Sequence, residues 1–246
     1  MGIMKPQVIG SESLEALSNA AADFLVRRAM EIVRAVGRFT LALSGGSTPQ
    51  RLYEILARKP LKDRMPWQES FFFWGDERFV PADHPESNFR LAYRAMLSKV
   101  PVPESNIHPV GTGTGSAHEA AENYERDLQK FFGVNNKPRF DLVLLGLGAD
   151  GHTASLFPGD PVLNERRHLA AAVRAPAQYA VKDRVTLTLP VLNSAACVLF
   201  LAAGREKKKM TDIILNQPQK AFRLYPAARI RPEDGELFWF TDREAH

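Results

Sequence analysis

The chain has 246 residues, 45% of them hydrophobic, with a formal net charge of +4 and one cysteine. That size suits one large α/β domain or two small ones, and a lone cysteine excludes an internal disulfide. The mild, interleaved charge lacks the basic face of a nucleic-acid binder, and no apolar stretch is long enough to span a bilayer. The opening Met1-Gly2-Ile3-Met4-Lys5-Pro6 has no apolar core of a signal peptide, so the expected compartment is the cytoplasm. The one dense run of charge, Arg205-Glu206-Lys207-Lys208-Lys209, reads mainly as solvated surface.

Taken in chain order, Leu14, Leu17, Ala21, Phe24, Leu25 and Ile32 recur at helical spacing, which predicts an amphipathic helix over about 13–36 that Gly37 ends. A short apolar strand at 39–43 runs into Ser44-Gly45-Gly46-Ser47-Thr48-Pro49. There Thr48 reads as an N-cap with proline in the first turn. The next strand, 70–74, ends in Gly75-Asp76-Glu77-Arg78, and a helix carries Phe89, Leu91, Ala92, Met96 and Leu97. Residues 101–115 read as a surface loop. Ser116 and Glu119 form a capping box for a helix through Tyr124, Leu128 and Phe131.

The strand at 140–145 is followed by Gly146-Leu147-Gly148-Ala149-Asp150-Gly151-His152-Thr153-Ala154-Ser155-Leu156-Phe157-Pro158-Gly159. Four further apolar strands are expected at 168–173, 185–189, 198–203 and 237–240, with a helix opening at Gly204. Strands alternate with helices and are mostly continuous apolar runs. The expected fold is therefore one α/β domain over 1–246, a three-layer α/β/α arrangement with a mostly parallel, Rossmann-like sheet and helices on both faces. A small peripheral lobe is compatible with that pattern.

Polar residues gather at the strand ends, where open α/β sheets hold their ligands. His152 is the leading general-base candidate because imidazole titrates nearest neutrality, and Asp150 lies two residues away. The glycines and hydroxyls of Ser44, Gly45, Gly46, Ser47 and Thr48 precede a helix N-terminus, which favours an anion such as phosphate. Asp76 and Arg78 close a strand. Arg184 begins another and Lys207 opens a helix, so both cations are candidates to grip a phosphate.

Other chemistries are disfavoured by spacing. Gly146-x-Gly148-x-x-Gly151 matches the dinucleotide fingerprint, but Pro158-Gly159 breaks any helix after about two turns and no carboxylate follows at 168–173. No Walker motif, no Gly-x-Ser-x-Gly elbow and no His or Cys spacing for a metal occurs, so neither cofactor nor metal is expected. Ser155 is a weak nucleophile candidate, and Cys197 lies inside an apolar run where a thiolate is disfavoured.

Ser44-Gly45-Gly46-Ser47-Thr48-Pro49, Trp74-Gly75-Asp76-Glu77-Arg78, Glu86-Ser87-Asn88, residues 146–159, Arg184-Val185-Thr186 and Gly204-x-x-Lys207 stand in the order found in 6-phosphogluconolactonases. The chain resembles that family from about Leu41 onward. The resemblance implies hydrolysis of 6-phospho-D-glucono-1,5-lactone to 6-phosphogluconate, with His152, Asp150, Asp76 and Arg78 at the reacting end. It also implies that Ser44, Gly45, Gly46, Ser47, Thr48, Asn88, Gly151, Arg184 and Lys207 hold the substrate. The expected partner is a small phosphosugar lactone, without nucleic acid or membrane, on a monomer or homodimer. Glucosamine-6-phosphate deaminases share the fold, but place a Glu five residues after the histidine, where this chain has Phe157. A deaminase-like isomerase and a non-catalytic phosphosugar-binding protein stand as the alternatives.

Overall fold

The computed structural model describes residues 6–113, 115–134 and 136–246. The signal-peptide reading of Met1 to Lys5 falls outside them. In chain order the elements are β1 (Gln7–Ser11), α1 (Leu14–Val36), β2 (Phe39–Leu43), α2 (Ser47–Leu56), the single-turn α3 (Leu61–Arg64), β3 (Ser70–Trp74), β4 (Asp76–Arg78), α4 (Asn88–Ala95), α5 (Ala117–Phe132), β5 (Leu142–Gly146), β6 (Ala170–Arg174), β7 (Asp183–Leu187), α6 (Leu189–Ser194), β8 (Cys197–Ala202), α7 (Arg205–Asn216), α8 (Pro218–Leu224) and β9 (Glu236–Asp242).

Six strands form one sheet in the order β1-β9-β8-β5-β2-β3, parallel at every pairing. Its inner strands are the continuous apolar runs. All five residues of β2 and all six of β8 are buried, which is what helices on both faces impose. By the right-handed rule for parallel crossovers, this strand order assigns the helices before β3 to one face and those after it to the other, with α4 packed on α2. Helix α1 starts because Ser13 accepts the Ala16 N–H at 3.2 Å, and it stops at Gly37 with φ 79°. Its Leu17, Ala21, Leu25 and Ala29 lie on one buried stripe. Fully burying each leucine stabilises the fold by ~1.5–3 kcal/mol. The Ser116–Glu119 capping box forms as the spacing predicts.

The expected layered sheet is present, but two of its expected members are elsewhere. Strands β6 and β7 pair antiparallel with each other, and β7 pairs antiparallel with β4, forming a separate three-stranded sheet. An apolar run reports burial, not direction. The connection between β6 and β7 spans only residues 175–182, too short for a parallel crossover. Strand β1, Gln-Val-Ile-Gly-Ser with no buried residue, has too short an apolar pair to signal a strand. The loop at 147–160 contains no helix, only turns and a bridge between Thr153 and Leu156.

Candidate active site

The reversal of strand order falls between β2 and β5, whose following loops leave on opposite faces and open a crevice at their carboxyl ends. A cleft of about 260 Å³ occupies it. Ser44, Gly45, Gly46, Ser47 and Thr48 form one wall, Asp76, Arg78 and Asn88 a second, and His152, Arg184 and Lys207 complete it. Asp150 and Gly151 stand behind His152 in the same turn. All the residues singled out from the sequence therefore meet in one place.

The first wall is held by Tyr53, a buried side chain on α2. Its hydroxyl donates to the Ser44 carbonyl at 2.7 Å and accepts the Ser44 N–H at 2.9 Å. The cap of α2 is Gly46, with φ 106°, and not Thr48 as the Thr-Pro pair suggested. A glycine cap has no acceptor to offer. Ser47 and Thr48 line the cleft in the first turn of the helix, and their N–H groups have no protein partner among the described residues. Helix α7 repeats the device at the far side, with Gly204 as its cap at φ 95° and Lys207 in its first turn. The Lys207 ammonium has only a loose contact with Glu206, at 3.9 Å.

In the second wall, the neighbouring acids divide their work. Glu77 is buried and accepts the N–H groups of Arg78, Asn88 and Phe89, each at 2.7 Å, and the Ser87 hydroxyl at 3.1 Å. It anchors the start of α4. Burial pushes its carboxyl up, opposed by those N–H groups. Asp76 instead faces the cleft, taking the buried Ser155 hydroxyl on Oδ2 at 2.6 Å. Asn88 donates to the Asp76 carbonyl at 2.9 Å, and its own Oδ1 is buried without a partner. That oxygen approaches so closely that a Cβ on Gly45 would lie 1.8 Å from it.

Arg78 and Arg184 are directly opposed across β4 and β7. Like charges in that register destabilise a sheet, so both cations carry an unmet demand for an anion. Arg184 is 5% exposed and makes no ion pair among the described residues. Its guanidinium lies over the Phe157 and Tyr179 rings at 5.7 and 5.2 Å. Burial lowers its pKa, with Asp76 opposing. The Arg78 Nη1 donates to the Glu86 carbonyl at 2.7 Å, while its Nε is buried and unpartnered.

The reacting centre is the turn after β5. The Asp150 Oδ1 accepts the His152 N–H at 3.1 Å and lies 2.5 Å from His152 Nδ1. That contact assigns the Nδ1 proton to the carboxylate side and leaves Nε2 as an acceptor with no protein hydrogen bond among the described residues. Burial alone would raise Asp150, but the hydrogen bond and charge of His152 outweigh it, and its pKa falls to about 2. The Tyr179 hydroxyl lies 3.1 Å from both Asp150 Oδ2 and His152 Nδ1. Burial and the Asp150 carboxylate push its phenol up to about 12. Phe157 packs on the imidazole at 4.9 Å. Ala154, at φ 48°, is strained backbone in the cleft lining.

Sequence reasoning missed Tyr179, the role of Ser155 and the packing of Phe157. Tyr179 sits in the β6–β7 connection, and nothing in its neighbours marks it. Only the antiparallel pairing carries it to His152. Among the described residues no three His, Cys, Asp or Glu side chains gather as a metal site, and no helix is long and apolar enough to cross a membrane.

Residues 12–239 match the family model described as glucosamine-6-phosphate isomerases/6-phosphogluconolactonase. The chain is 42% identical to a 6-phosphogluconolactonase of Synechocystis over 98% of each chain. It is 39% identical to that of Rattus norvegicus, over 98% of this chain and 89% of the relative. The solved 6-phosphogluconolactonase of Trypanosoma brucei superposes with a TM-score of 0.86 at 31% identity, covering 99% of this chain and 98% of that one. The chain belongs to the glucosamine-6-phosphate isomerase/6-phosphogluconolactonase family.

Proposed function

We propose that the chain hydrolyses 6-phospho-D-glucono-1,5-lactone to 6-phospho-D-gluconate, with His152 as general base. The observation that carries this reading is an imidazole anchored on Asp150 through Nδ1, lining a cleft with three cations and two glycine-capped helix starts. Those cations and N–H groups suit a phosphate, and gripping it holds the reacting carbonyl beside His152.

Water attacks the lactone carbon while Nε2 takes one of its protons. The new C–O bond forms, and charge collects on the carbonyl oxygen, which Arg78 stabilises. The bond to the ring oxygen then breaks, and the imidazolium returns the proton to that oxygen. Asp150 stabilises the transient imidazolium. Such acid–base help is worth about 10²–10⁴ in rate. The steps use the protein's own side chains and water, with neither cofactor nor covalent intermediate.

Phe157 weighs against a deaminase-like isomerase. It is 1% exposed and packs on His152 as an apolar ring, with no second carboxylate at that position to enolise a sugar. We take the described chain as one functional unit. Parallel pairing of β1 with β9 supports this, since it joins the two ends in one sheet. A cytoplasmic monomer or homodimer is the accompanying reading. The lone Cys197 is buried, its thiol pushed up to about 11 by burial, which suits a place where no disulfide is required.

The test is lactone hydrolysis, with substrate made in situ by a glucose-6-phosphate dehydrogenase and the spontaneous opening subtracted. The expected result is a rate well above background that His152→Ala abolishes. A folded His152→Ala protein with full activity overturns the assignment. A wild type without activity moves the reading to ammonia release from glucosamine 6-phosphate, or to phosphosugar binding alone.

A further inference from the structure

A second cavity, of about 850 Å³, is larger than the catalytic cleft and shares no lining residue with it. It opens between the segment leading into β6, the start of α6, and the stretch from α8 toward β9. Its walls carry the guanidinium groups of Arg166, Arg167, Arg223, Arg229 and Arg231. With Lys137, that makes six cations against the single carboxylate of Glu233, a net charge of +5 where the whole chain has only +4.

The local pairing leaves this excess in place. Glu233 is engaged by Lys137 at 2.6 Å. None of the five guanidiniums forms an ion pair among the described residues. Arg166, Arg229 and Arg231 donate instead to main-chain carbonyls of Leu163, Phe222 and Ala228, at 3.0, 3.2 and 3.2 Å. Those bonds fix the guanidinium planes without neutralising them. Arg167 and Arg223 are exposed at the rim. Gathering like charge in a concave, partly apolar wall costs stability and concentrates a positive field. The floor is apolar, with Leu169, Leu189 and Pro190. The exposed Phe222 ring stands beside it with the Arg231 guanidinium 4.4 Å from its centre.

We propose that this cavity is a second ligand site, for a small molecule carrying two or three linked phosphates. Guanidinium forks match phosphate oxygens bidentately, and several converging forks exceed what one phosphate can use. The volume falls in the ~300–1,000 Å³ range of small-molecule sites. A bounded hollow of this kind suits a compact oligoanion better than the long stripe that a nucleic acid follows. Two sources share this chemistry: inorganic oligophosphate, and a nucleoside di- or triphosphate whose base lies on the apolar floor.

Titration calorimetry of the full chain with inorganic triphosphate, and separately with ATP, tests this. The variants are Arg167→Glu combined with Arg223→Glu at the rim, and Lys207→Ala in the catalytic cleft. Circular dichroism and thermal melting check folding, and Arg167→Gln with Arg223→Gln replaces the rim pair if the glutamates disturb it. With the catalytic cleft filled by saturating 6-phosphogluconate, we expect one triphosphate per chain, with equal affinity in wild type and Lys207→Ala. The rim variant should bind at least about 10-fold more weakly, and saturating 6-phosphogluconate should not compete. Tighter binding of ATP than of triphosphate identifies a nucleotide, and equal binding identifies free oligophosphate. Absence of binding at millimolar concentration overturns the proposal. So does unchanged affinity in the rim variant, or loss of binding in Lys207→Ala. A single-stranded oligonucleotide that outbinds ATP and loses affinity in the rim variant overturns it in favour of a nucleic-acid surface. The readout is binding, so it stands independently of lactone hydrolysis.

Discussion

Replacing Gly148 with alanine tests the geometry of the reacting centre with a single methyl group. Gly148 is not among the positive-φ glycines, so its backbone accepts an alanine without strain. The whole effect is then steric. The added Cβ would lie 1.9 Å from His152 Nδ1, 2.2 Å from Cε1 and 2.7 Å from Asp150 Oδ1. Carbon contacts settle near 3.5 Å, so the imidazole must retreat by about 1.5 Å. A misplacement of ~1 Å near the chemistry can cost ~10² in rate, equivalent to ~2.7 kcal/mol of barrier. Gly148→Ala should therefore lower kcat by ~10² or more. KM should stay near wild type, because the Arg184 and Lys207 side of the cleft is untouched. The assay is background-corrected lactone hydrolysis, with thermal melting to verify folding. A folded Gly148→Ala enzyme within threefold of wild-type kcat would refute the His152–Asp150 geometry described above.

Arg184→Met keeps the apolar contacts with Phe157 and Tyr179 but removes a buried cation. It should raise KM for the phosphorylated lactone by ~10–10², a loss of ~1.5–3 kcal/mol, and leave the slow turnover of unphosphorylated gluconolactone unchanged. Glu77→Gln places an amide donor among four donors, so urea unfolding should show a loss of ~1–3 kcal/mol, while kcat of the folded protein is largely kept. Asp150 is depressed from 3.8 to about 2, so its stabilisation is present above pH 3.8 and is lost as pH falls through about 2. Acid unfolding of wild type should show that loss between these values, and Asp150→Asn should lack it. Any acid limb of kcat/KM above pH 4 must arise from another group.

What could be read from the chain follows from what the physics makes local. Strands β2, β5 and β8 are buried on both faces, so their runs of Leu, Val and Phe announce them. The glycines directly after β2 and β5 mark where the backbone must turn toward a ligand. The Ser116–Glu119 box is a contact within one helical turn, and it was legible. The small sheet was not. The Ala170–Arg174 strand has the same apolar look as a core strand, and its antiparallel partner is chosen by loop length and by β4, three polar residues with no strand signature. Tyr179 reaches the catalytic pair only through that pairing. The error at Thr48 has a similar root. Thr before Pro is a good local cap, but the strand-to-helix turn needs a left-handed residue, and Gly46 supplies it two residues earlier.

The edge strand β1 bears on how the protein is made. It pairs with β9, Gln7 opposite Phe238, so β1 leaves the ribosome long before its partner and cannot dock until β9 has been made. Until β1 docks, the Leu237-Phe238-Trp239-Phe240 run of β9 is an open sheet edge with unpaired N–H and C=O groups, a template for self-association. The exposed edge strand β1 thus guards solubility as well as completing the sheet. Its deletion would lead first to aggregates, before any change at the distant His152.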